Sequence, residues 1–302
     1  MVLVALVGVA AAAAIGRGDR RAFVTVTPVQ VGPSPVAVAA RGEVVWAALA
    51  GAGAVVRVDP GSNEVVARTE VSGTPGALVL SDGSLWVGMR QGDEVSRVGA
   101  ASGEPLGELE VGDNPQALAA GDGALFAASV DRGEVVRIDP ETMTVTARLS
   151  APELFPAALA YTDGSLWVAD LVNDRILELE PARLGRRGAV NVEGSPIALA
   201  AGEGALWVAS FSDGIVRRID PARRRVVAEV PVGRTVGGIA VGAGLVWVTR
   251  VERGDVVRID PAVNELVGAP LPAGHEPQGL AVAGDVVWIA SQGDGTLTRI
   301  DL

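Results

Sequence analysis

The chain carries a single histidine, His275, within Gly274-His275-Glu276-Pro277-Gln278-Gly279. An imidazole beside a carboxylate is the pairing that acid–base catalysis uses most. A lone histidine in such a loop is read as a surface residue, and a histidine-rich metal centre is impossible with one. The carboxylates never fall into the spacing of a calcium loop. There is no cysteine, which excludes thiolate catalysis, disulfides and thiolate-bound zinc. No Gly-x-Ser-x-Gly elbow, phosphate loop or dinucleotide fingerprint stands in a strand–turn–helix context. Recognition chemistry is what remains. Arg90 and Arg250 facing Asp170 could hold an anionic or carboxylate-bearing ligand. The same charges could equally be rim ion pairs of little energetic weight. No catalytic residue, metal ligand or cofactor is assigned.

These residues must be positioned by a repeat. Gly202-Glu203-Gly204-Ala205-Leu206-Trp207-Val208-Ala209-Ser210, closed by Arg218-Ile219-Asp220-Pro221, has seven versions in the chain. The aromatic position falls at Trp46, Trp86, Phe126, Trp167, Trp207, Trp247 and Trp288, 40 or 41 residues apart. The closing position follows 13 residues later at Asp59, Gly99, Asp139, Glu180, Asp220, Asp260 and Asp301. A period near 40 with short apolar strands and Gly, Asp-Gly and Asp-Pro turns between them predicts four antiparallel strands per unit. The fold class is all-β, a seven-bladed propeller. The large ring in each unit is expected to fill the wedge between neighbouring blades. The last copy ends after its third strand, while residues 22–30 form an orphan strand ahead of the first copy. The arithmetic closes if residues 22–30 complete the seventh blade and so remove two exposed edges.

Antiparallel blades sort their turns onto two faces. The monotonous Asp-Gly and Asp-Pro turns share one. The other gathers the connections between blades and the second-to-third turns, where the copies disagree: Met89-Arg90-Gln91, Ser129-Val130-Asp131-Arg132, Asp170-Leu171-Val172-Asn173, Phe211-Ser212-Asp213, Arg250-Val251-Glu252-Arg253 and Gln292-Gly293-Asp294. Loops free of scaffold duty are where binding residues usually sit. The residue after the proline that leads into each inner strand is expected near the channel mouth: Val36, Gly76, Gln116, Ala157, Ile197, Gly237 and Gln278. The candidate ligand residues are therefore Arg90, Gln116, Asp170, Phe211, Arg250, His275, Glu276, Gln278 and Gln292.

Net charge is −11 and every basic side chain is arginine, so a nucleic-acid partner is not expected. Residues 1–21 form a separate segment: an apolar run, Met1 to Ile15, followed by Gly16-Arg17-Gly18-Asp19-Arg20-Arg21. As a helix that run rises roughly 22 Å, short of the ~30 Å hydrocarbon core. It is read as a membrane anchor, the tail of a longer one, or a signal peptide, with an apolar tail of no consequence as the alternative. The first readings place residues 22–302 outside the cytoplasm, anchored or secreted.

The Leu-Trp-Val strand with its Ile-Asp-Pro close resembles the YVTN/NHL-type seven-bladed propellers. It is also similar to the virginiamycin B lyase (streptogramin lyase) group. That resemblance covers residues 22–302. It implies a Glu-Pro-His-Gly segment with a catalytic histidine and a magnesium-site glutamate, and a second metal-binding glutamate in the next turn of the blade. Here the segment is Glu276-Pro277-Gln278-Gly279, and the second carboxylate position falls near Gln292. Glutamine is no general base, and an amide is a poorer magnesium ligand than a carboxylate. The expectation is a non-catalytic, monomeric propeller that binds an unknown small ligand or protein on its variable face, such as the sensor part of a membrane signalling protein. A streptogramin lyase-like or lactone-hydrolysing enzyme and a structural cell-surface propeller are the alternatives.

Overall fold

The computed structural model describes residues 13–14 and 23–302. Their strands form seven antiparallel sheets arranged as successive blades. In the fifth, the inner strand Pro196–Gly202 pairs with Ala205–Ser210, then Ile215–Asp220, then Arg225–Pro231 at the rim. The turns explain the register. Asp82-Gly83, Asp122-Gly123, Asp163-Gly164 and Glu203-Gly204 each hold two successive positive φ angles between paired strands. That geometry twists a two-residue hairpin in the same sense as its strands. At the third-to-fourth turn the aspartate accepts backbone N–H groups, as in Gly61 and Ser62 to Asp59 Oδ1 at 2.7 and 3.1 Å. The same holds at Asp139, Asp220 and Asp260, and at Glu180, which replaces the aspartate in the fourth copy.

All six tryptophans and Phe126 are fully buried. Their rings sit between blades: Trp46 packs with Leu85, Val87 and Val98 of the second blade, Trp207 with Val246 and Val248 of the sixth. Cross-strand from the ring stands an arginine in several blades, and it latches the ring of blades together. Arg97, Arg218 and Arg299 cover Trp86, Trp207 and Trp288 at 5.1, 5.3 and 5.4 Å. Each also donates to the proline carbonyl in the next blade's turn: Pro140 at 2.8 Å, Pro261 at 2.6 Å, and Pro60. The fourth blade inverts this device. Glu178 takes the arginine's place opposite Trp167, and Arg224 of the fifth blade reaches back to it.

The ring closes as the repeat arithmetic requires. Phe23–Gln30 pairs antiparallel with Thr296–Asp301, from Thr25 opposite Asp301 to Gln30 opposite Thr296, and completes the seventh blade. The closing strand begins at Phe23, and residue 22 lies outside the described residues. One blade departs from the pattern. The outer strand of the sixth survives only as Glu265–Leu266 and Leu271–Pro272, interrupted by Val267-Gly268-Ala269-Pro270. No helix among the described residues is long and apolar enough to cross a membrane.

Candidate functional site

The variable face is held by a backbone device of its own. In five of the seven blades the second-to-third turn is pinned to the connection that leads into its own blade. Ala50 N–H donates to Ser34 O at 3.0 Å, Leu171 to Phe155 at 2.9 Å, Phe211 to Ser195 at 3.0 Å and Val251 to Thr235 at 2.8 Å. In the seventh blade Gln292 N–H donates to Glu276 O at 3.1 Å. Four of the acceptors, Ser34, Ser195, Thr235 and Glu276, take positive φ between 52° and 60° in this approach. Such backbone is costly for a side-chain-bearing residue and persists where surrounding contacts enforce it. The face is therefore preorganised rather than loose.

The charges distribute unevenly over it. Arg250 is buried and fully engaged: its guanidinium grips Asp255 through two bonds of 2.7 and 2.6 Å and donates to Val232 O at 3.0 Å. Asp170 has no exposed surface and accepts from Arg175 at 2.7 Å, Asn173 at 2.8 Å and the Phe155 N–H at 3.0 Å. The structure thus places both groups in closed networks within their own blades. Arg90 differs. It is exposed, and no ion pair engages it among the described residues. Its side chain lies across Gly76 of the inner strand, where an added Cβ would sit 2.4 Å from Arg90 Cγ. Glycine at 76 is what lets the arginine lie there.

Gln116 and Gln278 are half-buried at the start of their inner strands, as expected near the channel mouth, and Gln292 is half-buried beside Glu276. Thr249 Oγ1 donates to the Gln278 carbonyl at 2.8 Å and accepts the Gly238 N–H at 2.8 Å, fixing the sixth blade to the seventh at this corner. Glu276 and His275 are exposed. His275 N–H donates to Asp294 Oδ2 at 2.7 Å, and the imidazole lies against Gly293. Phe211 is 49% exposed and stands apart as an apolar projection of the fifth blade. The structure brings His275, Glu276, Gln278 and Gln292 together at one corner and separates them from Arg90 on the second blade.

Sequence reasoning missed Arg175 and Asp255, the partners that close the two networks. Both are five residues downstream of the charge they neutralise and directly opposite it across the hairpin. Opposite charges flanking a turn were the available signal.

The seventh-blade corner can be tested against the magnesium site that the resemblance implies. Glu276 supplies one carboxylate, while Gln278 and Gln292 are amides. Among the described residues no group of three or more His, Asp or Glu could hold a metal ion. The donor set does not fit the cation.

A family model described as the virginiamycin B lyase family matches residues 19–300. A solved streptogramin B lyase superposes with a TM-score of 0.81 at 17% identity, over 92% of this chain and 98% of that one. A catalytically inactive histidine-to-alanine variant of virginiamycin B lyase from Staphylococcus aureus, with quinupristin, gives 0.80 at 16% identity over 92% and 99%. The WD40 repeats of RRP9 give 0.80 at 13% identity over 92% and 97%. At such identities the structural likeness speaks for the fold alone. No curated protein matches the chain in sequence.

Proposed function

Since the match over residues 19–300 shows that the chain belongs to the virginiamycin B lyase family, we propose that this member is a binding propeller without lyase chemistry, its ligand held on the variable face. One observation carries the reading. The Gln292 N–H to Glu276 O bond sets the two strand ends of the seventh blade side by side, as a two-part acid–base and metal site would need. At the two positions where the resemblance implies the catalytic histidine and the second metal-binding glutamate, the side chains are Gln278 and Gln292. Neither can remove a proton or neutralise a divalent cation. Amides recognise peptide-like and carbonyl-bearing groups, and Arg90 adds a cation above the inner strand of the second blade. The apolar run from Met1 to Ile15 supports a location outside the cytoplasm, anchored or secreted.

The test pairs turnover with binding. A cyclic streptogramin B depsipeptide incubated with the protein and magnesium should stay closed, as followed by mass spectrometry. A thermal-shift screen of peptides and carboxylates should give ligands whose stabilisation is lost in Arg90→Ala or Gln116→Ala, since only a native-state ligand raises Tm. Magnesium-dependent ring opening by the unmodified protein would overturn the reading.

A further inference from the structure

The face opposite the variable loops was read from sequence as scaffold. It carries a cavity where inner strands of six blades converge: a channel of about 460 Å³, broadly open to solvent at the end of the Asp-Gly turns. Its volume falls within the range of small-molecule sites, roughly 300–1,000 Å³. Most of the side chains that line it are apolar, between polar stretches of inner-strand backbone. Leu78, Leu118, Leu159 and Leu199 hold equivalent positions in four successive blades, and alanines fill most of the remaining wall.

Two polar side chains interrupt that wall, Arg41 and Tyr161. Arg41 ends the inner strand of the first blade, and Tyr161 stands in the inner strand of the fourth, as far away as two blades of seven can be. Arg41 is exposed, and no ion pair engages it among the described residues. Tyr161 packs flat on Phe126 at 6.0 Å, against Gly121, where a Cβ would meet the ring at 2.0 Å. Burial pushes its phenol above the usual value, with Asp122 adding to the shift and Arg187 opposing it, so the hydroxyl remains a donor at neutral pH. No hydrogen bond among the described residues uses that hydroxyl.

We propose that this axial channel is a second binding site, for a small amphipathic carboxylate whose apolar body lies against the leucines and whose carboxylate meets Arg41. An apolar cavity with a few convergent polar groups is the usual build of such a site, and a guanidinium suits a carboxylate by charge and by its paired donors. The site is independent of the variable face and of what binds there.

Calorimetric titration of the whole chain with decanoate, and with decan-1-ol as its uncharged counterpart, tests this. Decanoate should bind more tightly than decan-1-ol. Arg41→Ala should weaken decanoate by about tenfold or more, leave decan-1-ol unchanged, and leave the thermal midpoint of the free protein alone, because Arg41 is exposed. Arg90→Ala should leave the Arg41-dependent binding of decanoate in place. The proposal falls if decanoate does not bind the unmodified protein. It falls equally if Arg41→Ala binds decanoate as well as the parent, or if Arg90→Ala is the substitution that abolishes binding.

Discussion

Removing residues 1–30 should break the ring. The closing strand contributes six residue pairs to the seventh blade, Thr25 with Asp301 through Gln30 with Thr296. It also buries Val24 and Val29, 1% and 2% exposed. A fully buried valine contributes about 1.5–3 kcal/mol, so the two together contribute about 3–6 kcal/mol. Whole-protein stabilities run at about 5–15 kcal/mol. The loss is therefore a large fraction of the total, before the exposed edge at Thr296–Asp301 is counted. With a urea dependence of about 3 kcal/mol/M, the unfolding midpoint should fall by about 1–2 M. Val29→Asp probes the same strand without truncation. Val29 lies in the cluster of Leu49, Trp288 and Leu297, and an unpaired carboxylate there should cost at least as much as the lost valine. The assay is urea unfolding beside size-exclusion chromatography. A truncated protein that stays monomeric with an unchanged midpoint would refute the closure argument.

Three further outcomes are expected. Trp207→Ala should lower stability by roughly 3–5 kcal/mol in denaturant unfolding, because its ring is wholly buried between the fifth and sixth blades. For Glu178, burial raises the carboxyl pKa, but the hydrogen bonds from Arg224 and Ser165 and the charges of Arg224 and Arg187 outweigh it, and the net position lies below the usual value of 4.5. Its stabilisation is thus present above that value and lost as pH falls through the lower folded one, so Glu178→Gln should flatten the acid side of a Tm-against-pH curve. Chelation should leave the thermal midpoint unchanged, since the two implied ligand positions, Glu276 and Gln292, supply one carboxylate where the metal site would need two; a drop in Tm with EDTA that magnesium restores would contradict the donor-set argument.

The architecture was legible because its signals are local and repeat. A tryptophan every 40 or 41 residues, Asp-Gly pairs with positive φ and Asp-Pro turns each specify a neighbourhood of a few residues. Closure by the N-terminal strand followed from counting strands. The latches between blades were not legible, because a backbone carbonyl has no sequence signature. Nothing in the residue types says that Arg97 will find Pro140 or Arg218 Pro261, each 43 residues on. The candidate site was legible only in outline. Loops whose residues differ from copy to copy pointed to one face, but Asp170 and Arg250 could not be told from ligand-binding charges until Arg175 and Asp255 stood opposite them.

That separation of engaged from free charge is what gives the face its chemistry. Arg250 and Asp170 hold their own hairpins, and their removal would unsettle loops rather than remove a contact with a ligand. Arg90 and Arg41 engage in no such network among the described residues. The first lies over an inner strand on the variable face, and the second lines the channel at the opposite end. A guanidinium is always charged and draws an anion wherever water does not screen it fully. In a chain of net charge −11, two such cations at opposite ends of one axis are local reversals of the overall field. At the seventh-blade corner Gln278 and Gln292 set neutral amides beside the Glu276 carboxylate, groups that can hydrogen-bond a ligand. The proposed role of recognition without proton transfer rests on that division of side chains.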